Sequence, residues 1–153
     1  MLKKAYVEIT NRCNLACSFC PKTRRALRTM SAQEFGLVLS RLEGYVQYVY
    51  LHLMGEPLLH PELSSFFALA GARGMKVCIT TNGTLLEKRA DELLNAESLH
   101  KISVSLHSFE GNDGADEQEL AYLEQVWDFA EKAAKKGVIV ALRLWNDGGA
   151  DAR

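Results

Sequence analysis

Apolar runs and helical patterns alternate along almost the whole chain, and this alternation constrains the fold more than any other feature. Five short runs read as strands, at residues 5–10, 48–53, 76–80, 101–106 and 138–144. The run at 48–53 is nearly unbroken, as expected of a parallel strand covered on both faces. Ser31 and Glu34 form a capping box, in which hydroxyl and carboxylate satisfy free N–H groups at a helix start. Phe35, Val38, Leu39 and Leu42 then recur at helical spacing. Pro61 is placed to open a second helix at its first turn, with Phe66, Phe67, Leu69 and Ala70 as buried surface and Gly74 as its stop. A third helix is expected over residues 86–94, with Leu86, Ala90, Leu93 and Leu94 on one side. The fourth and longest, near residues 117–136, carries a stripe of Leu123, Val126, Trp127, Ala130, Ala133 and Ala134. It ends on Lys135, Lys136 and Gly137, where the helix dipole favours cations and glycine stops the helix. Gly111-Asn112-Asp113-Gly114 breaks the pattern as a loop.

Strands and helices alternating with such short connections imply right-handed βαβ units and a parallel sheet. The expected class is therefore α/β, with about five strands and four helices in one domain over residues 1–153. A chain of 153 residues is long enough to bury roughly 70% of its unfolded surface. Its net charge of −1 gives no general pull toward nucleic acid or anionic lipid. No apolar run approaches the ~20 residues of a membrane span, and nothing resembles a signal peptide. Four cysteines could form two disulfides, but three of them crowd into one loop, which argues for a metal and a reducing cytoplasm.

That loop is Cys13-Asn14-Leu15-Ala16-Cys17-Ser18-Phe19-Cys20, directly after the first strand. Thiolates are soft ligands suited to iron–sulfur clusters or zinc, and closed structural sites of either kind normally take four protein ligands. The loop offers three. A [4Fe–4S] cluster so held keeps one iron open to a small molecule. A zinc site completed by His52 or Cys78 is the alternative.

The cysteine spacing, with Phe19 just before the last thiol, resembles the radical S-adenosylmethionine (SAM) superfamily. So do Met54-Gly55-Glu56-Pro57 after the second strand, close to the family's G-G-E-P, Thr80-Thr81-Asn82-Gly83 after the third, and Ser103-Val104-Ser105-Leu106-His107 at the fourth. The resemblance runs from about residue 4 to about residue 146. It implies a parallel (β/α) partial TIM-like barrel whose ligands gather beyond the carboxyl ends of the strands. The family core commonly has six such units, so the last is expected to be missing here. Truncation is favoured because a parallel fifth strand left as an edge is a liability.

The resemblance also implies roles. Cys13, Cys17 and Cys20 would bind the cluster, and SAM would bind the open iron through its amino and carboxylate groups. Phe19 would lie near the adenine. Gly55, Glu56 and Pro57 would meet the methionine end, glycine allowing close approach and a carboxylate or its neighbouring carbonyl accepting from the ammonium group. Asn82 and Gly83 make a turn on any reading and would pack beneath cofactor or substrate. Ser105 would contact the ribose, and His107 stands where many members have Asp. Arg143, a charge among apolar neighbours, needs a partner, for which the SAM carboxylate serves; Asn146 is a weaker candidate. Cys78, His60 and Trp127 read as structural, and the basic run Lys22, Arg24, Arg25 and Arg28 as a solvated loop.

The activity implied is reductive cleavage of SAM to a 5′-deoxyadenosyl radical that abstracts a substrate hydrogen. An electron donor such as a flavodoxin or ferredoxin is implied as partner. A peptide or protein is the first expectation for the substrate, and RNA the second, disfavoured by the neutral charge. The reading from another class is a non-catalytic metal-binding module or inactive fragment.

Overall fold

The computed structural model describes residues 3–110 and 119–144. The strands are β1 (Lys4–Tyr6), β2 (Tyr48–Tyr50), β3 (Lys76–Thr81), β4 (Leu99–Ser105) and β5 (Ile139–Arg143). The helices are α1 (Ala32–Leu42), α2 (Leu63–Gly71), α3 (Leu86–Leu94), a short α4 (His107–Glu110) and α5 (Glu119–Lys135). All strands pair in parallel, in the sequential order β1-β2-β3-β4-β5. Sequential order with crossovers of one hand keeps the helices on one side of the sheet, so the sheet curls as a barrel wall instead of opening at a reversal point. The partial-barrel expectation holds. The 111–114 loop and Asn146 lie outside the described residues.

One core fills the space between sheet and helices. Val49, Leu51, Val77, Ile79, Ile102 and Val104 point into it from the strands, and Phe35, Leu39, Phe66, Leu86, Leu93 and Phe129 from the helices. Phe35 and Phe66 stack at 4.3 Å between ring centroids, joining α1 to α2. Ser31 caps α1 in the expected box, its hydroxyl accepting from Glu34 N while the Glu34 side chain accepts from Ser31 N.

The other sheet face differs from expectation. Successive strand side chains alternate faces, so Tyr48, Tyr50 and His52 stand opposite the buried Val49 and Leu51 and stay partly exposed. β2 is therefore covered on one side only in these residues. Tyr6 and Tyr50 lie 4.8 Å apart on this concave face, with His52 edge-on to both at 5.6 Å.

Two helix readings need correction. Pro61 precedes α2, which starts at Leu63 with Glu62 at its cap; the proline that does open a helical turn is Pro57, in a 3-10 turn over Pro57–Leu59. On α5 the buried stripe is Tyr122, Val126, Phe129 and Ala133, while Trp127 is 64% exposed. Trp127 is five residues past Tyr122, which at 3.6 residues per turn places it about 140° around the helix. Apolar character alone put it on the wrong face.

Candidate functional site

The cysteine loop is closed at its base by pairing between segments far apart in sequence. Met30 N donates to Ile9 O at 2.8 Å and Asn11 N to Arg28 O at 3.2 Å, around an isolated antiparallel bridge between Thr10 and Thr29. Asn11, 7% exposed, adds two bonds: its amide donates to Ala26 O at 3.0 Å, and its side-chain oxygen accepts from Arg28 N at 2.7 Å. His60, 1% exposed, donates from Nε2 to Met30 O at 2.8 Å and accepts from Glu62 N at Nδ1, which fixes one tautomer and a structural role. Asn11 was missed by sequence reasoning because its partners are 15 or more positions away.

Within the loop Cys13 is exposed, Cys20 half-buried and Cys17 buried; none of them, nor the buried Cys78, is in a disulfide. A turn joins two of them, Cys20 N donating to Cys17 O at 3.2 Å. Burial pushes the Cys13 thiol above its ordinary range, with Glu56 and Cys17 adding to the effect. Two residues after Cys20 the backbone passes through the left-handed region at Lys22, φ 53°.

Gly55 and Glu56 hold the entrance to this loop. Glu56 N donates to Arg12 O at 2.7 Å, one residue before Cys13. Gly55 has φ +79°, and a Cβ there would stand 2.7 Å from both Thr10 O and Arg12 O. Only glycine permits that backbone and that approach. The Glu56 side chain turns inward, 1% exposed, and accepts from Leu58 N at 2.9 Å, Thr81 Oγ1 at 2.8 Å and Asn82 N at 2.7 Å. Burial pushes this carboxyl up, against the pull of those three donors. With both oxygens engaged inside the fold, the Glu56 carboxylate is turned to organising the strand-end turns.

Asn82 stands between these elements. Its side-chain nitrogen lies 3.9 Å from Cys13 Sγ and 3.0 Å from Asn14 Oδ1. Its backbone carbonyl accepts from Tyr122 Oη at 2.8 Å, and Gly83, φ +82°, leaves room for that ring, since a Cβ would come within 2.8 Å of Tyr122 Oη. Tyr122 is a second residue the sequence did not flag; the stripe of α5 in its correct phase would have placed it toward the strand ends.

Two further candidates meet each other. Phe19 and His107 pack at 5.2 Å, tilted by 59°, and His107 Nδ1 donates to Arg143 O at 3.2 Å. Cys17 Sγ contacts Ser108 O at 3.4 Å, so the start of α4 lies against the cysteine loop. Ser105 pairs in register with Arg143 at the ends of β4 and β5. Arg143 itself is exposed, so water solvates the charge and burial does not demand a partner. Its charge acts with desolvation to pull His52 down to about 4.

The candidates for a fourth zinc ligand lie elsewhere. Cys78 pairs in register with Tyr50, which pairs with Tyr6, at the level where β1 ends and seven positions before Cys13. His52 Nε2 is bonded to Thr80 Oγ1 at 3.3 Å, and its Nδ1 is buried without a partner. Among the described residues no three His, Cys, Asp or Glu side chains converge on the position of a single ion. Three thiols within eight residues, on a loop clamped at its entrance by Gly55 and Glu56, are the soft donor set that an iron–sulfur cluster takes.

The family model described as "Radical SAM superfamily" matches residues 7–146. Among curated relatives, the GTP 3′,8-cyclase of Chlorobaculum tepidum is 33% identical over 108 residues, covering 68% of this chain and 32% of that protein. The Fe-coproporphyrin III synthase of Methanosarcina barkeri is 31% identical over 109 residues, covering 69% of this chain and 27% of its own length. Among solved structures, BtrN in complex with AdoMet and 2-DOIA superposes with TM-score 0.68 at 24% identity, covering 94% of this chain and 57% of that one. The chain thus spans about a third of the curated relatives it matches.

Proposed function

The chain belongs to the radical SAM superfamily, and on that premise we propose that it is the cofactor-holding part of an enzyme that cleaves SAM reductively. Cys13, Cys17 and Cys20 would hold a [4Fe–4S] cluster, leaving one iron for the amino and carboxylate groups of SAM. A cluster held there and reduced would supply the one electron that splits the sulfonium C–S bond of SAM into methionine and a 5′-deoxyadenosyl radical, which would take a hydrogen atom from substrate.

The protein's contribution is to hold and shield. Gly55 brings backbone against the loop entrance, and the backbone at Gly55–Glu56 would accept from the SAM ammonium group. Pro57 fixes the 3-10 turn that buries the Glu56 carboxylate. Phe19 and His107, already packed together, would cover the adenine, with Ser105 reaching the ribose and Arg143 the carboxylate. Asn82 would brace the cysteine loop from beneath. The observation that carries this reading is the convergence of the Gly55–Glu56 and Thr81–Asn82 turns on the segment leading into Cys13.

The chemistry requires a one-electron reductant, for which a flavodoxin or ferredoxin is the proposed partner. For the substrate, the likeness to GTP 3′,8-cyclases adds a purine nucleotide to the peptide or protein first expected from the family resemblance. The Fe-coproporphyrin III synthase matches at nearly the same identity, in keeping with a shared stretch that holds the cofactor. The test is anaerobic turnover with dithionite and SAM. Release of 5′-deoxyadenosine, abolished by Cys17→Ala, supports the proposal, and GTP or peptide raising that release selects the substrate. A fully loaded cluster that leaves SAM intact contradicts it.

A further inference from the structure

Asn82 is held at every polar atom it has. Its N–H donates to Glu56 Oε2 and its carbonyl accepts from Tyr122 Oη. Its side-chain oxygen accepts from Thr84 N at 3.1 Å and Thr84 Oγ1 at 2.8 Å. A backbone N–H only donates, so the amide atom facing Thr84 N must be oxygen, and nitrogen must face the cysteine loop. The donor directions then close into a ring. Asn82 Nδ2 donates to Asn14 Oδ1 at 3.0 Å, Asn14 Nδ2 to Thr84 Oγ1 at 2.9 Å, and Thr84 Oγ1 to Asn82 Oδ1. One N–H remains on Asn82 Nδ2, with Cys13 Sγ at 3.9 Å.

From this geometry we propose that Asn82 is a positioning residue that donates an N–H···S bond to the Cys13 thiolate and thereby raises the reduction potential of the cluster that the cysteine loop holds. The inference rests on the cluster reading above and goes beyond it. The physical reason is charge. Reduction adds an electron whose density spreads onto the sulfurs, so a fixed donor at one sulfur stabilises the reduced form more than the oxidised. The ring through Asn14 and Thr84 is pre-organised, and the donor needs no rearrangement to act.

The experiment is a redox titration of the reconstituted chain, followed by the EPR signal of the reduced cluster. Asn82→Asp keeps the acceptor toward Thr84 and puts an oxygen where the donor stood. Asn82→Ala removes both. Each is expected to lower the potential, reducing the ratio of reduced to oxidised cluster roughly tenfold at a fixed poise, which for one electron is about 59 mV. Thr84→Val and Asn14→Ala, at the partly buried and exposed members of the ring, loosen the donor without deleting it and are expected to shift the potential the same way by less. If the Asn82 variants load no cluster, the Thr84→Val titration decides. Potentials unchanged in every variant that retains four irons overturn the proposal. A wild-type chain that assembles no cluster overturns the cluster reading itself, so the two failures are told apart.

Discussion

Tyr122 donates its hydroxyl to the Asn82 carbonyl at 2.8 Å, so the longest helix of the chain holds the turn beside the cysteine loop. Both groups are buried. Replacing Tyr122 by Phe leaves the ring packing and removes one bond to a carbonyl that water reaches poorly. The expected cost is about 1 kcal/mol, seen as a lower urea midpoint with unchanged slope. An unchanged midpoint would mean that α5 does not support the turn through this bond.

Glu56 is the hub of the strand-end turns. Glu56→Gln replaces one carboxylate oxygen by an amide nitrogen that must face Leu58 N and Thr81 Oγ1, or else Asn82 N. At least one buried backbone donor is then set against another donor. The expected loss is roughly 3 kcal/mol, read from chemical denaturation. A loss below about 0.5 kcal/mol would show that the carboxylate is not organising these turns.

Gly55→Ala forces a Cβ to within 2.7 Å of two carbonyl oxygens at a positive φ, whereas Gly36 on α1 has nothing within 4 Å of its own Cβ position. The first substitution is expected to cost about 2 kcal/mol or more, and the second to gain as much as about 1 kcal/mol from helix propensity. Thermal unfolding of the two variants side by side checks the contrast. Equal shifts in melting temperature would refute it.

His52, pulled down to about 4 by desolvation and by the Arg143 charge, is held neutral in the fold. Its unfolded form titrates near the ordinary value of about 6.5. The unfolded chain therefore binds more protons between those values. The stability this site contributes is complete above about pH 6.5 and is lost as pH falls toward about 4. Burial lowers His60 and His100 in the same direction, so the site is isolated by comparison with His52→Gln. The wild type is expected to lose stability more steeply than the variant between pH 7 and 4.5. Parallel curves would count against a neutral His52.

Much of this was legible in the sequence because it is local. The capping box at Ser31 and Glu34 and the alternation of five strands with helices follow from short-range pattern. The strand-end motifs were visible as well, since glycines and asparagines mark turns wherever they occur. What stayed hidden depends on which side chain meets which across the fold. The Glu56 carboxylate, read with its neighbouring carbonyl as one of two alternative acceptors for a ligand, is engaged by Leu58, Thr81 and Asn82, and no spacing rule reveals that. Trp127 was misplaced because a helix stripe one position out of phase is almost as apolar as the true one, which runs through Tyr122 and Phe129. Arg143 was expected to need a partner among apolar neighbours, yet the strand end leaves it in water.

On the proposed reading, Cys13, Cys17 and Cys20 are the whole protein ligand set of a cluster with one open iron. EPR of the dithionite-reduced chain, reconstituted anaerobically, before and after addition of SAM, decides it. Four irons per chain are expected, with a signal whose g-values shift when SAM is added and with Cys78→Ser behaving as wild type. A signal that ignores SAM, or iron content that depends on Cys78, would contradict it.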